Sequence, residues 1–345
     1  MVKKRISLLF RCDGDEKIGL GHVVRCLALA EELSIEHNCQ VTFAVCSGKA
    51  GIEMVKKHGH SLLTIESDIE NISEEDFLEM AVEKTACDVI IMDFRKEISL
   101  DFLLSLKKQG ILLVDIDDPD DKRLVADLAF YPPVPQVKKM DWSGFQGQLF
   151  SGWEWVILRK EFTGAAKQQR IPNDRLQILV TMGGSDPAGY TLKTMEALEL
   201  LEEEFDTTVV LGKAFSGRKE LQNFLTSAKR EFTILNNVEN MAEVMASADL
   251  AIATFGVTAY ELAYMGIPAL YICLTDDHAE SCQVFVEAGL GIKVENINSI
   301  YNTDIMRQLI SQKGKKDVMD FSPAKRNDNN GVKSLAAKIK DQFKL

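Results

Sequence analysis

The chain has no paired cysteines, no long apolar run and no surplus of positive charge, and each absence removes a class of protein. Seven cysteines, an odd number, stand at 12, 26, 39, 46, 87, 273 and 282, none as Cys-x-x-Cys, so neither a disulfide framework nor a zinc cluster is expected. Most lie in apolar segments, where a reduced cysteine packs as a small core residue. The five histidines fall at no metal-ligand spacing, and neither a metal nor another cofactor is expected. No apolar segment reaches membrane length and the lysine-rich start lacks a signal-peptide core, which predicts a cytoplasmic chain without membrane insertion. With 40 basic against 52 acidic residues the formal net charge is -12. Such a surface repels a phosphate backbone, so nucleic acid is not an expected partner.

What is present is length and rhythm. A chain of 345 residues is more than one core usually fills, and two domains are expected. Short β-rich runs, Ile6–Phe10, Val41–Val45, Asp88–Asp93 and Ile111–Asp117, alternate with helical patterns such as Val23, Cys26, Leu27, Ala30 and Leu33. The runs lack apolar/polar alternation, as parallel strands covered on both faces do. The rhythm pauses in a small, polar, proline-interrupted segment and restarts at Leu176. This predicts an α/β chain of two Rossmann-like doubly wound domains facing across a cleft: 1–162, a linker at 163–175, and 176–345. The last stretch ends in an amphipathic helix able to pack on either domain.

Four segments follow predicted strands and carry chemistry. In the first, Arg11 to His22, Gly14, Gly19 and Gly21 lead from strand to helix, a geometry that suits an anionic ligand. The full dinucleotide pattern fails, Arg25 following where small residues would continue, which disfavours an NAD-dependent dehydrogenase. His22 and Arg25 share one face of the first helical turn. His22 either caps the helix while Arg25 pairs with a carboxylate, or serves as the imidazole best suited to acid/base work near neutral pH. The second segment holds Gly183, Gly184 and Ser185, where paired glycines let a phosphate approach the backbone. Asp186 as N-cap and Pro187 as first helical residue explain their own places structurally. The third, Phe255-Gly256-Val257-Thr258, leads into a helix with Glu261 one turn in, which either faces solvent or accepts from a ribose diol. The fourth, Leu274 to Ser281, places Asp277 and His278 after a strand, His278 being either a loop residue or a ligand contact.

Taken in order, Arg11-x-Asp13, Ile18-Gly19-x-Gly21-His22-x-x-Arg25-Cys26-x-x-Leu29-Ala30, Gly152 to Phe162, Gly183-Gly184-Ser185-Asp186 and Gly256 to Pro268 resemble the UDP-sugar hydrolases of pseudaminic acid biosynthesis and the related spore coat polysaccharide biosynthesis proteins. The likeness runs from the first strand to about the last helix. The second half also resembles the nucleotide-binding half of the UDP-GlcNAc transferase of peptidoglycan synthesis, which shares the glycosyltransferase B fold. The resemblance implies a metal-independent enzyme that binds a UDP-sugar, hydrolyses it at the anomeric carbon and releases UDP and a free 2,4-diacetamido-2,4,6-trideoxy sugar. It implies His22 as the catalytic residue, with Arg11, Asp13, Gly21, Arg25, Asp93, Arg95, Asp277 and His278 toward the substrate. It implies Gly183, Gly184, Ser185, Phe255, Gly256, Val257 and Thr258 at the nucleotide's diphosphate and Glu261 at its ribose. The chain departs from the family where Asp-x-Tyr reads Asp93-Phe94-Arg95, where an Asn-Gln pair is replaced around Asp277-His278, and where the boundary tyrosine is Trp155. The expected state is a monomer or weak homodimer. A glycosyltransferase of the same fold and a non-catalytic sugar-nucleotide-binding protein are the alternatives, since fold carries function only by analogy.

Overall fold

A computed structural model describes residues 5–15, 18–65, 72–165, 175–294, 301, 304, 305, 307, 310 and 331–343. The chain divides into two compact units, Met1–Arg159 with Asn329–Leu345, and Lys160–Asp328. Of the segment 163–175 expected to link domains, 166–174 lie outside the described residues.

The first unit runs β1 (Ser7–Cys12), α1 (Gly21–Ile35), β2 (Gln40–Val45), α2 (Lys49–Lys57), β3 (Ser61–Thr64), α3 (Glu74–Thr85), β4 (Val89–Asp93), α4 (Leu100–Lys108), β5 (Leu112–Ile116), β6 (Leu128–Tyr131) and β7 (Gln148–Ser151). The strands pair in parallel in the order β3-β2-β1-β4-β5-β6-β7. Successive residues of β1 feed opposite cores: Leu8, Phe10 and Cys12 pack with Val23, Leu27 and Leu33 of α1, whereas Leu9 packs with Phe77, Ile90 and Leu103. Both faces being covered, alternation disappears from the sequence, as the parallel-sheet expectation required.

The second unit runs α5 (Lys160–Ala165), β8 (Leu176–Thr181), α6 (Tyr190–Glu199), β9 (Phe205–Leu211), α7 (Arg218–Ser227), β10 (Phe232–Asn236), α8 (Met241–Ala246), β11 (Leu250–Thr254), α9 (Val257–Met265), β12 (Ala269–Ile272), α10 (Asp276–Glu287) and β13 (Gly291–Val294). Its strand order is β10-β9-β8-β11-β12-β13, again parallel. The final helix, α11 (Gly331–Asp341), which the sequence left able to pack on either domain, belongs to the first unit, so the second ends before the 345 expected for it. Its apolar stripe, Val332, Leu335, Ala336 and Ile339, is buried in the core of the first unit against α1, and Lys338 lies 5.6 Å over the Phe150 ring. An amphipathic helix goes where a complementary apolar face remains uncovered, whatever its place in the chain.

In each unit the strand order reverses at one point, between β1 and β4 and between β8 and β11. At such a point neighbouring connections leave the sheet in opposite directions and open a crevice at the strands' carboxyl ends, where ligands of open α/β sheets bind. Among the described residues no helix is long and apolar enough to cross a membrane.

Candidate functional site

At the first reversal, Cys12 at the end of β1 is in register with Asp93 at the end of β4. The turn that follows β1 is fixed by close backbone packing. Gly51 donates its N–H to the Gly14 carbonyl at 3.2 Å, and a Cβ on Gly48 (φ +94) would fall 1.9 Å from that oxygen. Gly19 adopts φ +77, and the Ile18 N–H bonds Asp15 Oδ1 at 2.9 Å. Helix α1 then begins at Gly21 with no capping side chain and no acidic residue in its first turn, because both polar residues there serve another purpose.

His22 Nδ1 lies 2.6 Å from Asp93 Oδ1. Arg25 reaches the same carboxylate twice, from Nε to Oδ2 at 2.5 Å and from Nη2 to Oδ1 at 2.6 Å, and bonds Asp117 through Nη1 at 2.8 Å. Burial of Asp93 alone would push its carboxyl up. The Arg25 charge and the His22 contact outweigh burial and hold it well below the usual carboxylate range. An ionised carboxylate only accepts, so Nδ1 carries a proton and donates it to Asp93, while Arg25 Nη2 stands 3.2 Å from the same nitrogen. Nε2 has no hydrogen-bond partner among the described residues, and the side chain is 15% exposed. Of the structural reading, the capping half fails, since no side chain caps α1, whereas Arg25 does pair with carboxylates, Asp93 and Asp117.

The sequence assigned Arg11, Asp13 and Asp93 to the substrate, and the structure corrects all three. Arg11 is fully buried. It bonds both oxygens of Glu74, Asp13 Oδ2 at 2.7 Å and the Cys12 carbonyl at 2.9 Å, and stacks on Phe94 at 4.8 Å. Burial opposes its charge, but the two carboxylates outweigh burial and keep the guanidinium firmly protonated. Asp13 in turn accepts from the N–H groups of Cys46 and Ser47 at 2.9 and 3.0 Å, tying the end of β2 to the turn. These buried groups brace the turn, with Lys96 Nζ 3.9 Å from Asp13 Oδ2 and 3.7 Å from Glu74 Oε2. Asp93 likewise is buried, its carboxylate held by His22 and Arg25. Glu74 and Asp117 escaped the sequence reading. Asp117 stands in an acidic run directly after β5, the signal that marks it; Glu74, on α3, has no local signal.

Arg95 follows Asp93 by two residues and turns the other way from buried Phe94. It makes no hydrogen bond among the described residues and meets Asp118 Oδ1 at 3.6 Å and Asp117 Oδ2 at 4.0 Å. Asp118 is held more closely by Lys122, at 2.6 Å. Below them Asp115 is fully buried, with Oδ2 3.4 Å from the Tyr131 hydroxyl, which donates to the Asp118 carbonyl at 2.6 Å. Burial, then the nearby Asp118, pushes the Asp115 carboxyl well up, so its neutral form is favoured.

At the second reversal the chemistry is mostly backbone. Gly183 adopts φ +76, and a Cβ on Gly184 or Gly256 would meet nothing within 4 Å. Helix α9 starts at Val257 with Gly256 as its N-cap and no capping side chain, leaving the first-turn N–H groups of Val257 and Thr258 directed out of the helix start. Phe255 is corrected: its N–H donates to the Ile272 carbonyl at 2.9 Å and its ring is buried against Tyr271 and Phe285. Glu261 is 5% exposed, so its solvent-facing reading fails. Asp186, rather than being the N-cap residue, reaches forward from φ +45 to bond the N–H groups of Tyr190 and Thr191, both at 2.8 Å, and Pro187 precedes the helix. Asp277 is exposed, whereas the His278 ring lies 6.0 Å from Phe255 with Nδ1 buried and unpartnered; burial pushes its pKa down. Among the described residues no group of histidine, cysteine and carboxylate side chains is placed to hold a metal ion.

Comparison with known proteins bears on both units. The glycosyltransferase family 28 C-terminal domain matches residues 178–339. An uncharacterized protein of Methanocaldococcus jannaschii is 29% identical over 269 residues, 75% of this chain but 54% of that protein, so the chain spans about half the length of that relative. The spore coat polysaccharide biosynthesis protein SpsG of Bacillus subtilis is 22% identical over 81% of each chain. The UDP-2,4-diacetamido-2,4,6-trideoxy-beta-L-altropyranose hydrolase of Campylobacter jejuni is 24% identical over 70% of this chain and 81% of its own. Among solved structures, MurG of Acinetobacter baumannii aligns over 97% of this chain and 99% of its own, with a TM-score of 0.66 and 15% identity. The chain therefore has the glycosyltransferase B fold, one parallel sheet of seven strands and one of six.

Proposed function

We propose that the chain is a sugar-nucleotide hydrolase that splits a UDP-linked amino or deoxy sugar at its anomeric carbon, for nonulosonic acid or surface polysaccharide synthesis. The observation that carries this is the 2.6 Å contact of His22 Nδ1 with buried, ionised Asp93, which leaves Nε2 free to accept a proton. In the proposed step a water oxygen attacks the anomeric carbon and gives its proton to Nε2. The bond from that carbon to the phosphate oxygen breaks, and the electron pair leaves with UDP. Gly183, Gly184, Gly256, Val257 and Thr258 would meet the diphosphate with backbone N–H groups and the α9 dipole, making UDP a competent leaving group. Glu261 would hold the ribose, and Arg25, with two carboxylates to keep it in place, would line the sugar side. The names of the Campylobacter and Bacillus relatives support a UDP-sugar and a polysaccharide setting.

The family 28 match favours a second reading, transfer to an acceptor hydroxyl in place of water. UDP release from a panel of UDP-amino sugars, without acceptor, separates them. The hydrolase reading expects release by the wild type and a fall of about 10²- to 10⁴-fold in His22→Asn. Tight UDP binding with turnover only after an acceptor is added would replace hydrolysis with transfer.

A further inference from the structure

Arg95 stands where the resembled family has a tyrosine, and its surroundings leave its hydrogen-bonding capacity unspent. Arg11 and Arg25 each satisfy their guanidinium with several bonds at ordinary distances, whereas Arg95 makes none among the described residues. Its two neighbouring carboxylates have nearer partners: Asp117 Oδ2 accepts from Arg25 at 2.8 Å, and Asp118 Oδ2 pairs with Lys122 at 2.6 Å. The side chain is 34% exposed, and Asp117 Oδ2 faces both Arg95, at 4.0 Å, and Arg25 of the Asp93–His22 cluster, at 2.8 Å. A guanidinium at 3.6 to 4.0 Å from carboxylates, without a bond to either, is oriented but not consumed. Its planar fork matches a second carboxylate with two parallel N–H bonds, which a neutral amide or hydroxyl cannot supply.

We propose that Arg95 is a specificity-determining residue that binds a carboxylate on the sugar, so that the substrate class is a nucleotide-linked acidic sugar in place of a neutral diacetamido sugar. This rests on the sugar-nucleotide reading above and names its substrate more narrowly.

The test measures binding by calorimetry, with UDP, UDP-N-acetylglucosamine and UDP-glucuronate as probes, on the full chain carrying Arg95, Arg95→Lys or Arg95→Leu. The wild type is expected to bind the acidic sugar nucleotide about tenfold or more tightly than the neutral one. Arg95→Leu should abolish that margin while leaving UDP affinity within about twofold, and Arg95→Lys, which keeps the charge but not the fork, should restore part of it. Equal wild-type affinity for both sugars overturns the inference. So does an equal loss for UDP alone in Arg95→Leu, which would assign Arg95 to the diphosphate. Failure of the wild type to bind any of the three, UDP included, overturns the sugar-nucleotide reading itself, and the inference with it. Unchanged melting of the variants excludes misfolding as the cause.

Discussion

The two reversal points are built alike and equipped differently. Each is a parallel strand, a glycine turn and a helix start without a capping side chain. At the first, charged side chains crowd the turn: Arg11, Asp13 and Glu74 brace it while Asp93, Arg25 and Asp117 surround His22. At the second, Gly184 and Gly256 face open space and the available groups are backbone N–H donors. The difference teaches that one topology can carry a dense ionic cluster at one point and bare backbone at the other. A side-chain base needs its tautomer and orientation imposed by other side chains, which requires a dense ionic packing. A phosphate needs many weak donors at close approach, which requires the absence of side chains.

The most severe way to break this contrast is Asp93→Asn. An amide presents a donor as readily as an acceptor to His22 Nδ1 and leaves Arg25 without its buried counter-charge. Turnover should fall at least a hundredfold and stability by about 3–5 kcal/mol, as for other buried ion pairs broken on one side. The double variant with His22→Asn should lose little more activity than His22→Asn alone, because the two residues act as a unit. Additive losses in steady-state kinetics would separate them.

On the other side of the comparison, Gly184→Ala should leave melting within about 2 °C of the wild type, since the added methyl meets nothing in the free protein. UDP affinity should nonetheless fall by about tenfold, because that space is what a phosphate would use. Retained affinity, read by calorimetry, would remove Gly184 from the nucleotide site.

The smallest effect concerns Asp115. Its folded-state carboxyl is raised by burial and by Asp118 against the pull of Lys122 and Arg95, with Asp93 adding to the rise. The native state therefore holds a proton that the unfolded chain releases near the ordinary carboxylate value. Stability is greatest below that value and declines as pH rises toward the raised one. Asp115→Asn removes the proton while keeping a partner for Tyr131. The difference in urea-unfolding free energy between variant and wild type should shift toward the variant as pH rises from 5 to 8. A difference independent of pH would mean that Asp115 titrates normally. Asp93, depressed, runs the other way: its contribution is complete above the ordinary carboxylate range and is lost only as pH falls below it.

Much of the fold could be read in the sequence because parallel strands and their helices announce themselves locally. Continuous apolar runs marked β1, β2, β4 and β5, and the 3.6-residue spacing marked α1, whose Val23, Cys26, Leu27, Ala30 and Leu33 are buried. The glycine turns marked both reversal points for the same reason: Gly19 and Gly183 adopt positive φ, where only glycine is unstrained. The roles of the charged residues were not legible. Arg11, Asp13 and Asp93 stand in a motif that looks exposed in one dimension, and their burial depends on Glu74, 63 residues from Arg11, and on the register of β1 with β4.

What the sequence by itself determined is therefore the local alphabet: the order of strands and helices, the two glycine turns, and a histidine one residue inside a helix. Which partner each charge takes was decided only by the tertiary structure. Asp93 lies buried against His22 and Arg25, and the last helix joined the first unit. The physical reason is that an ion pair or an apolar face is satisfied by whatever the fold brings within a few ångströms, a distance that carries no trace along the chain.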